Sequence, residues 1–279
     1  MVTLFRVGSA VACATVLAAC ASVTPPASVT SPASVTPPAS MTSPASVTPP
    51  ASVTSPARVT APAGVTSPAG VASCPASSYG ARSEAPGRGK TVALTFDDGP
   101  GRSTAAILAI LARYRVPATF FNIGVNMAAR PSLVRAEVNG GYGMGNHTWN
   151  HPDLDDLTAA GQAAEMDEAS AEQRSITGTV PCAFRPPYGD YDATTLRLAQ
   201  QRRMGVWLWS VDTQDWMAEG SDSSYWVHRI IRLAEEEVGA LRHPIVLMHN
   251  QTIGNPATVS ALPAIIQFFR AHGYRFVTL

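Results

Sequence analysis

Apolar positions alternate between two periods along the last two-thirds of this chain. Short β-type runs cover 91–96, 118–124, 182–187, 205–212, 244–249 and 275–279, and a further short strand is expected just before His147. Between them apolar residues recur at helical spacing, which predicts helices near 103–114, 131–139, 158–175, 192–202, 223–238 and 258–271. Strands alternating with helices imply a mostly parallel sheet with helices outside it. Seven or so such units in about 190 residues are few for a complete eight-fold barrel. The expected fold class is therefore α/β: a distorted, incomplete (β/α) barrel of about seven strands with outer helices. An open doubly wound sheet is the alternative.

The first 90 residues follow neither period. Residues 1–20 read as a signal peptide, because Arg6 supplies one positive charge and 7–19 is an apolar run too short to span a bilayer. The run closes on Leu17-Ala18-Ala19-Cys20, which resembles a bacterial lipoprotein signal in which Cys20 is lipidated and becomes the new N-terminus. Ordinary cleavage at the small residues of Ala19-Cys20-Ala21 is the alternative. Either route takes the protein out of the cytoplasm, lipid-anchored to the outer face of the cell membrane or secreted. From 21 to 73 a hexad of the type ASVTPP or ASVTSP repeats, holding 11 of the 23 prolines and one charge, Arg58. Proline removes the ladder donors that a six-residue β-helix repeat would need. This stretch is expected to be a disordered stalk, reaching roughly 160 Å at ~3.1 Å per residue. Its Ser, Thr and Pro content permits O-glycosylation. Residues 74–89 read as a linker and 90–279 as the folded domain.

Lys plus Arg and Asp plus Glu number 20 each, so the formal charge is zero. No basic run and no aromatic-interleaved arginine pattern is present, which argues against a nucleic-acid partner. A monomer is expected, with a membrane contact only through lipid on Cys20. Cys13 falls within the signal peptide, which leaves Cys74 and Cys182 as the pair in the exported protein. In an oxidising compartment such a pair is expected to be bridged. Closing a loop of about 100 residues contributes up to roughly 4–5 kcal/mol in the chain-entropy treatment. No Cys–His spacing fits a structural zinc finger.

Candidate chemistry collects at strand ends. Asp97 and Asp98 close the run 92–96, immediately before the breaker Gly99-Pro100. Neighbours on an extended chain point in opposite directions. One carboxylate is then free to ligate a metal while the other faces a water as general base; an Asx turn is the competing reading. His147 and His151 lie four apart, and Pro152 biases His151 towards a loop. With Asp98 they make a set of two histidines and one aspartate, suited to Zn2+ or another divalent metal such as Co2+. Two ordinary hydrogen-bonded histidines are the alternative. Arg185 precedes Pro186-Pro187-Tyr188-Gly189, where it can hold Asp97 ionised while the Tyr188 N–H stays free as an oxyanion donor. A surface arginine beside a turn would leave the same trace. Asp212, Asp215 and Trp216 follow another apolar run, and His249 ends a buried-type strand, a place suited to a general acid. His228, His243 and His272 read as surface or packing residues, and Trp207, Trp209 and Trp226 as core.

In order, TFDDGP, HTWNH, RPPYG, DTQDW and IVLMH resemble the five motifs of the NodB-type polysaccharide deacetylases, carbohydrate esterase family 4. The resemblance covers about 91–279. It implies a distorted (β/α) barrel and metal-dependent removal of acetyl groups from sugars. It further implies that Asp97 is the base, that Asp98, His147 and His151 bind the metal, and that Arg185 orients Asp97. Asp215 would tune His249 as the acid, and Trp216 and Leu247 would wall the acetyl pocket. Many relatives have an acidic residue after the histidine, where this chain has Asn250. The expected substrate is an N-acetylated polysaccharide of the cell wall, peptidoglycan or chitin-like, with acetate released from N-acetylglucosamine. O-deacetylation of acetylxylan is the enzymatic alternative. A catalytically silent wall-binding protein is the non-enzymatic one, and it would be marked by loss of a ligand or acid–base residue. None is lost. A metallopeptidase would need an HExxH helix, which is absent.

Overall fold

The computed structural model describes Cys74 and residues 80–279. The signal sequence with Cys20, the hexad stalk 21–73 and residues 75–79 of the linker lie outside the described residues. The chain runs β1 (Ala81–Arg82), β2 (Thr91–Gly99), α1 (Thr104–Tyr114), β3 (Thr119–Asn122), α2 (Gly124–Ala129), α3 (Pro131–Asn139), β4 (Gly143–Asn146) and α4 (Ala159–Thr177). It continues through β5 (Ala183–Phe184), α5 (Ala193–Gln201), β6 (Gly205–Trp207), β7 (Val211–Asp212), α6 (Ser224–Glu236), β8 (Ile245–His249), α7 (Pro256–Ala271) and β9 (Arg275–Phe276). All nine strands join one sheet in the order β1-β6-β5-β4-β3-β2-β8-β7, with β9 paired to the start of β2. Every strand pairing is parallel. With helices around it, the sheet forms the distorted, incomplete (β/α) barrel expected from the sequence.

The count of about seven strands falls short of nine for two reasons. Residues 80–89, read as the end of a linker, supply β1 on the edge of β6, and Ala85 beyond it is buried. The run 205–212, read as one strand, is two. β6 pairs with β5 and β1, whereas β7 pairs with β8 at the other end of the sheet. The chain crosses between them: the Leu208 N–H donates to the Arg82 carbonyl at 2.7 Å and the Ser210 N–H to the Ile245 carbonyl at 3.0 Å. The gap in the barrel is spanned by this crossing rather than by a strand ladder.

Two-residue alternation divides the strands between two environments. Val92, Leu94 and Phe96 of β2, with Val246 and Met248 of β8, face the helices. There they pack with Ile107 and Leu111 of α1 and the stripe Ala261, Leu262, Ile265 and Phe269 of α7. The intervening positions face the barrel interior, where Ala93, Phe121, Ala183, Trp207 and Ile245 make a smaller cluster. One helix was not foreseen. The run 118–124 reads as strand throughout, but β3 stops at Asn122 and α2 begins at Gly124. A Cβ on Gly124 would stand 2.2 Å from the Trp149 ring, so only glycine lets the backbone pass. Cys74 and Cys182 are bonded, as expected, which fixes the segment ahead of β1 to the residue preceding β5. Among the described residues no helix is long and apolar enough to cross a membrane.

Candidate active site

The site begins with a bulge. The register of β2 against β3 slips between Asp97 and Gly99, and Asp98 adopts a left-handed φ of 67°. The expectation that the two carboxylates point in opposite directions is thereby corrected. The bulge inserts one residue into the alternation, so both acids turn into the same pocket. His147 Nε2 lies 3.8 Å from Asp97 Oδ2 and 3.3 Å from Asp98 Oδ1. Non-glycine residues at positive φ cost on the order of 1 kcal/mol. Asn126 of α2 offsets that cost by donating to the Asp98 carbonyl at 2.9 Å.

His147 follows β4 directly, and its Nδ1 lies 2.6 Å from the Arg185 carbonyl, to which it can only donate. Its Nε2 therefore presents a lone pair to the pocket. His151 Nε2 also stands 3.3 Å from Asp98 Oδ1, a buried oxygen that no hydrogen bond satisfies. An imidazole nitrogen this close to a buried carboxylate oxygen needs positive charge among the groups, supplied by a proton on the ring or by a metal ion. The three ligand atoms, all within 4.8 Å of one another, fit a divalent metal with an open position. Burial disfavours the Asp98 carboxylate, but His147, His249 and His151 outweigh it and hold the group well below the usual carboxylate range. Burial likewise opposes a charged His147, and Asp97 and Asp98 outweigh it, so its proton affinity is raised. His151 is lowered, by burial and by its neighbour His147.

Arg185 is the inward position that follows Ala183 and Phe184 of β5, and it is fully buried in the barrel. The Nη1 group donates to Asp97 Oδ1 at 2.7 Å and to the Thr95 hydroxyl at 2.8 Å. Nε and Nη2 donate to the Trp207 and Leu208 carbonyls, each at 3.0 Å. The guanidinium lies 4.2 Å from the centre of the Phe121 ring and 5.8 Å from that of Trp209. One side chain thus ties β2 to the crossing segment through the middle of the barrel.

On the other side of the pocket His249 ends β8 in register with Asp97. Its Nδ1 lies 2.7 Å from Asp215 Oδ1, and its N–H donates to Asp215 Oδ2 at 2.8 Å. The Thr258 hydroxyl of α7 donates to the same Oδ2 at 2.6 Å. Burial lowers the affinity of His249 for its proton, but Asp215, then Asp98 and Asp97, reverse this and push the pKa up to about 9. The group is held as an acid, with Nε2 left to act.

The remaining expected site residues fall near Asp97 and His249. Leu247 is buried two positions before His249, and Trp216 follows Asp215 with half its surface exposed. The Tyr188 ring packs edge-on to His151 at 4.8 Å, and among the described residues nothing accepts its backbone N–H. Asp212 serves the turn instead, accepting the Gln214 N–H at 2.8 Å. His228 and His272 are exposed, and His243 meets Thr91, all away from the site. Thr95, Asn126 and Thr258 were missed, since no motif marks a threonine or asparagine that acts through a neighbour. Trp209, read as core, does join the inner cluster, where it also flanks Arg185.

A polysaccharide deacetylase family model matches residues 84–207. A peptidoglycan-N-acetylglucosamine deacetylase of Listeria monocytogenes is 34% identical over 196 residues, 68% of this chain and 38% of that one. The chain thus spans 38% of the length of that relative. A chitooligosaccharide deacetylase of a Bradyrhizobium species is 36% identical over 167 residues, 58% of this chain and 71% of that one. The crystal structure of a peptidoglycan N-acetylglucosamine deacetylase, in complex with a naphthalenyl N-oxidanyl-benzamide, superposes with a TM-score of 0.65. That match has 32% identity and covers 72% of this chain and 91% of the other. Curled parallel sheet, ordered motifs and extensive identity lead to one assignment: the chain belongs to the polysaccharide deacetylase family, whose enzymes depend on a metal.

Proposed function

We propose that the protein hydrolyses N-acetyl groups of N-acetylglucosamine units in a cell-wall glycan, peptidoglycan or chitin-like, releasing acetate. The observation that carries this reading is the intact pairing of Asp97 with Arg185 and of His249 with Asp215 around one set of metal ligands. Asp98, His147 and His151 would hold Zn2+, or another divalent ion such as Co2+, which when bound lowers the pKa of a water and polarises the acetyl carbonyl. Asp97, held in place by the Arg185 Nη1 group, takes a proton from the attacking water. The Tyr188 N–H donates to the carbonyl oxygen as negative charge develops there. His249 gives its proton to the amide nitrogen, the carbon–nitrogen bond breaks, and acetate and a glucosamine unit leave. Leu247 and Trp216 shape the space for the acetyl methyl. An amine is a poor leaving group unless protonated, so an acid held this firmly favours an acetamide over an acetyl ester.

The same reading places the protein outside the cytoplasm as a monomer, on lipid at Cys20 and the stalk 21–73, or secreted. The signal-type sequence supports it, as does the Cys74–Cys182 bond, which suits an oxidising compartment. The direct assay supplies peptidoglycan, chitooligosaccharide and acetylated xylan side by side to the zinc-loaded protein. Acetate is expected from the first two. Acetate from xylan alone would refute N-deacetylation while sparing the metal ligands.

The acid also predicts a pH limb. Because the pKa of His249 is raised to about 9 in the fold, its charge stabilises the protein fully below its ordinary value of 6.5, and that contribution is lost as pH rises through about 9. Turnover is expected to fall over the same alkaline range as the proton is lost. A bound cation offsets the pull of Asp98, so the limb of the loaded enzyme lies lower than that of the apo fold. A pH profile of kcat/KM flat to pH 10, beyond that pKa of about 9, would remove His249 from the acid role.

A further inference from the structure

The longest helix among the described residues, α4, lacks the apolar stripe that usually fixes a helix to a core. The inner face of α4 carries Gln162, Glu165, Met166, Ala169, Ser170 and Gln173. Several of these groups act on one segment, the end of β4 and the loop that follows it. Glu165 Oε2 accepts the N–H groups of both Trp149, at 2.8 Å, and Asn150, at 3.0 Å. The Met166 carbonyl and the Ser170 hydroxyl accept from Asn146 Nδ2 at 2.8 and 2.9 Å. Gln162 Nε2 donates to the Leu154 carbonyl at 3.0 Å.

Trp149 and Asn150 lie between His147 and His151, and the loop that contains them is held against local preference. Thr148 and His151 sit at φ 67° and 61°, a region that costs a non-glycine residue on the order of 1 kcal/mol. From the opposite side, the Gly124 and Val125 N–H groups at the start of α2 donate to the Thr148 and Trp149 carbonyls, both at 2.9 Å. The loop is clamped by its carbonyls to α2 and by its amides to the Glu165 carboxylate. Bonds to a carboxylate are roughly twice as strong as neutral ones, and here one oxygen receives two.

We propose that Glu165 is a positioning residue for the metal centre: through the Trp149 and Asn150 amides it fixes the aim of His151 relative to His147. The inference rests on the metal reading given above, and it assigns to an exposed-looking helix residue a part in ligand geometry. Outer groups that orient metal ligands typically account for about 10–100-fold in affinity.

The test measures zinc affinity of the full chain by competition with a chromophoric chelator, together with the absorption spectrum of the cobalt form. Glu165→Ala should weaken zinc by about 10–100-fold and alter the cobalt bands. Glu165→Gln keeps a neutral oxygen for the two amides and should recover most of that loss. Glu168→Ala removes an exposed carboxylate one turn away and should bind as the wild type does. A folded Glu165→Ala protein with wild-type affinity and spectrum would reduce Glu165 to a helix anchor and overturn the proposal. Equal weakening by Glu168→Ala would overturn it too, as a general charge effect. If Glu165→Ala does not fold, Glu165→Asp, shorter by a methylene, is compared with Glu165→Gln, and equal wild-type affinity in both overturns the proposal. A wild-type chain that binds no metal would overturn the metal reading itself, and this inference with it.

Discussion

Asp97→Asn is expected to abolish most turnover while leaving metal content near that of the wild type. Asparagine keeps the shape and an oxygen for the Arg185 Nη1 group, now 2.7 Å from Asp97 Oδ1, but it cannot accept a proton from water. Losing the general base corresponds to a fall of about 10²–10⁴ in kcat. Asp98→Ala should separate from it cleanly, because it removes the oxygen that both histidines approach at 3.3 Å. That protein should lose the ion as well as activity. The check is bound metal by elemental analysis beside acetate release from chitooligosaccharide. Full metal and full activity in Asp98→Ala would end the assignment of these two neighbours.

Arg185→Met should produce the largest loss of stability of any single replacement in the site. Methionine fills similar space yet leaves the Asp97 charge buried without its partner, and it strands the Trp207 and Leu208 carbonyls. Breaking a buried pair in this way costs about 3–5 kcal/mol, a large part of the 5–15 kcal/mol typical of a domain. Arg185→Lys should rescue only in part, since an ammonium is a point charge and cannot reach all four acceptors from one plane. Denaturant unfolding of the metal-free proteins reads the effect without depending on turnover. A midpoint unchanged in Arg185→Met would mean that neither the pair with Asp97 nor the bonds to the Trp207 and Leu208 carbonyls hold the fold together.

Much of this architecture was legible in the sequence where local pattern and local structure coincide. Asp97 and His147 follow short β-type runs and His249 closes one, so their placement at strand ends could be read directly. The rest depends on where the chain travels. The run 205–212 is apolar almost throughout, and nothing local marks Leu208 as the point where it leaves one edge of the sheet for the other. A bulge at Asp98 leaves no signature beyond the Gly-Pro that follows it. Arg185 looks like a loop residue because an interior that needs a cation is visible only once β2 and β5 curl towards each other. Glu165 looks like a solvated helix position, since its partners are backbone amides with no identity in the sequence.

The place of β2 in the sheet also bears on how the protein comes to be folded. β2 appears early in the chain, but its neighbours are β3, β8 and β9. A growing chain can offer it only β3 until residue 249 has been made. Rates of folding fall as the sequence distance between contacting residues grows, and long-range parallel pairing is among the slowest routes. Meanwhile the apolar edge of Val92, Leu94 and Phe96 stands open to other chains, as unpaired strands do. Because Asp97 finds its register partner His249 only at that late step, the proposed acid and base of the site come together only after β8 is made. An incompletely folded chain of this protein is therefore an inactive one.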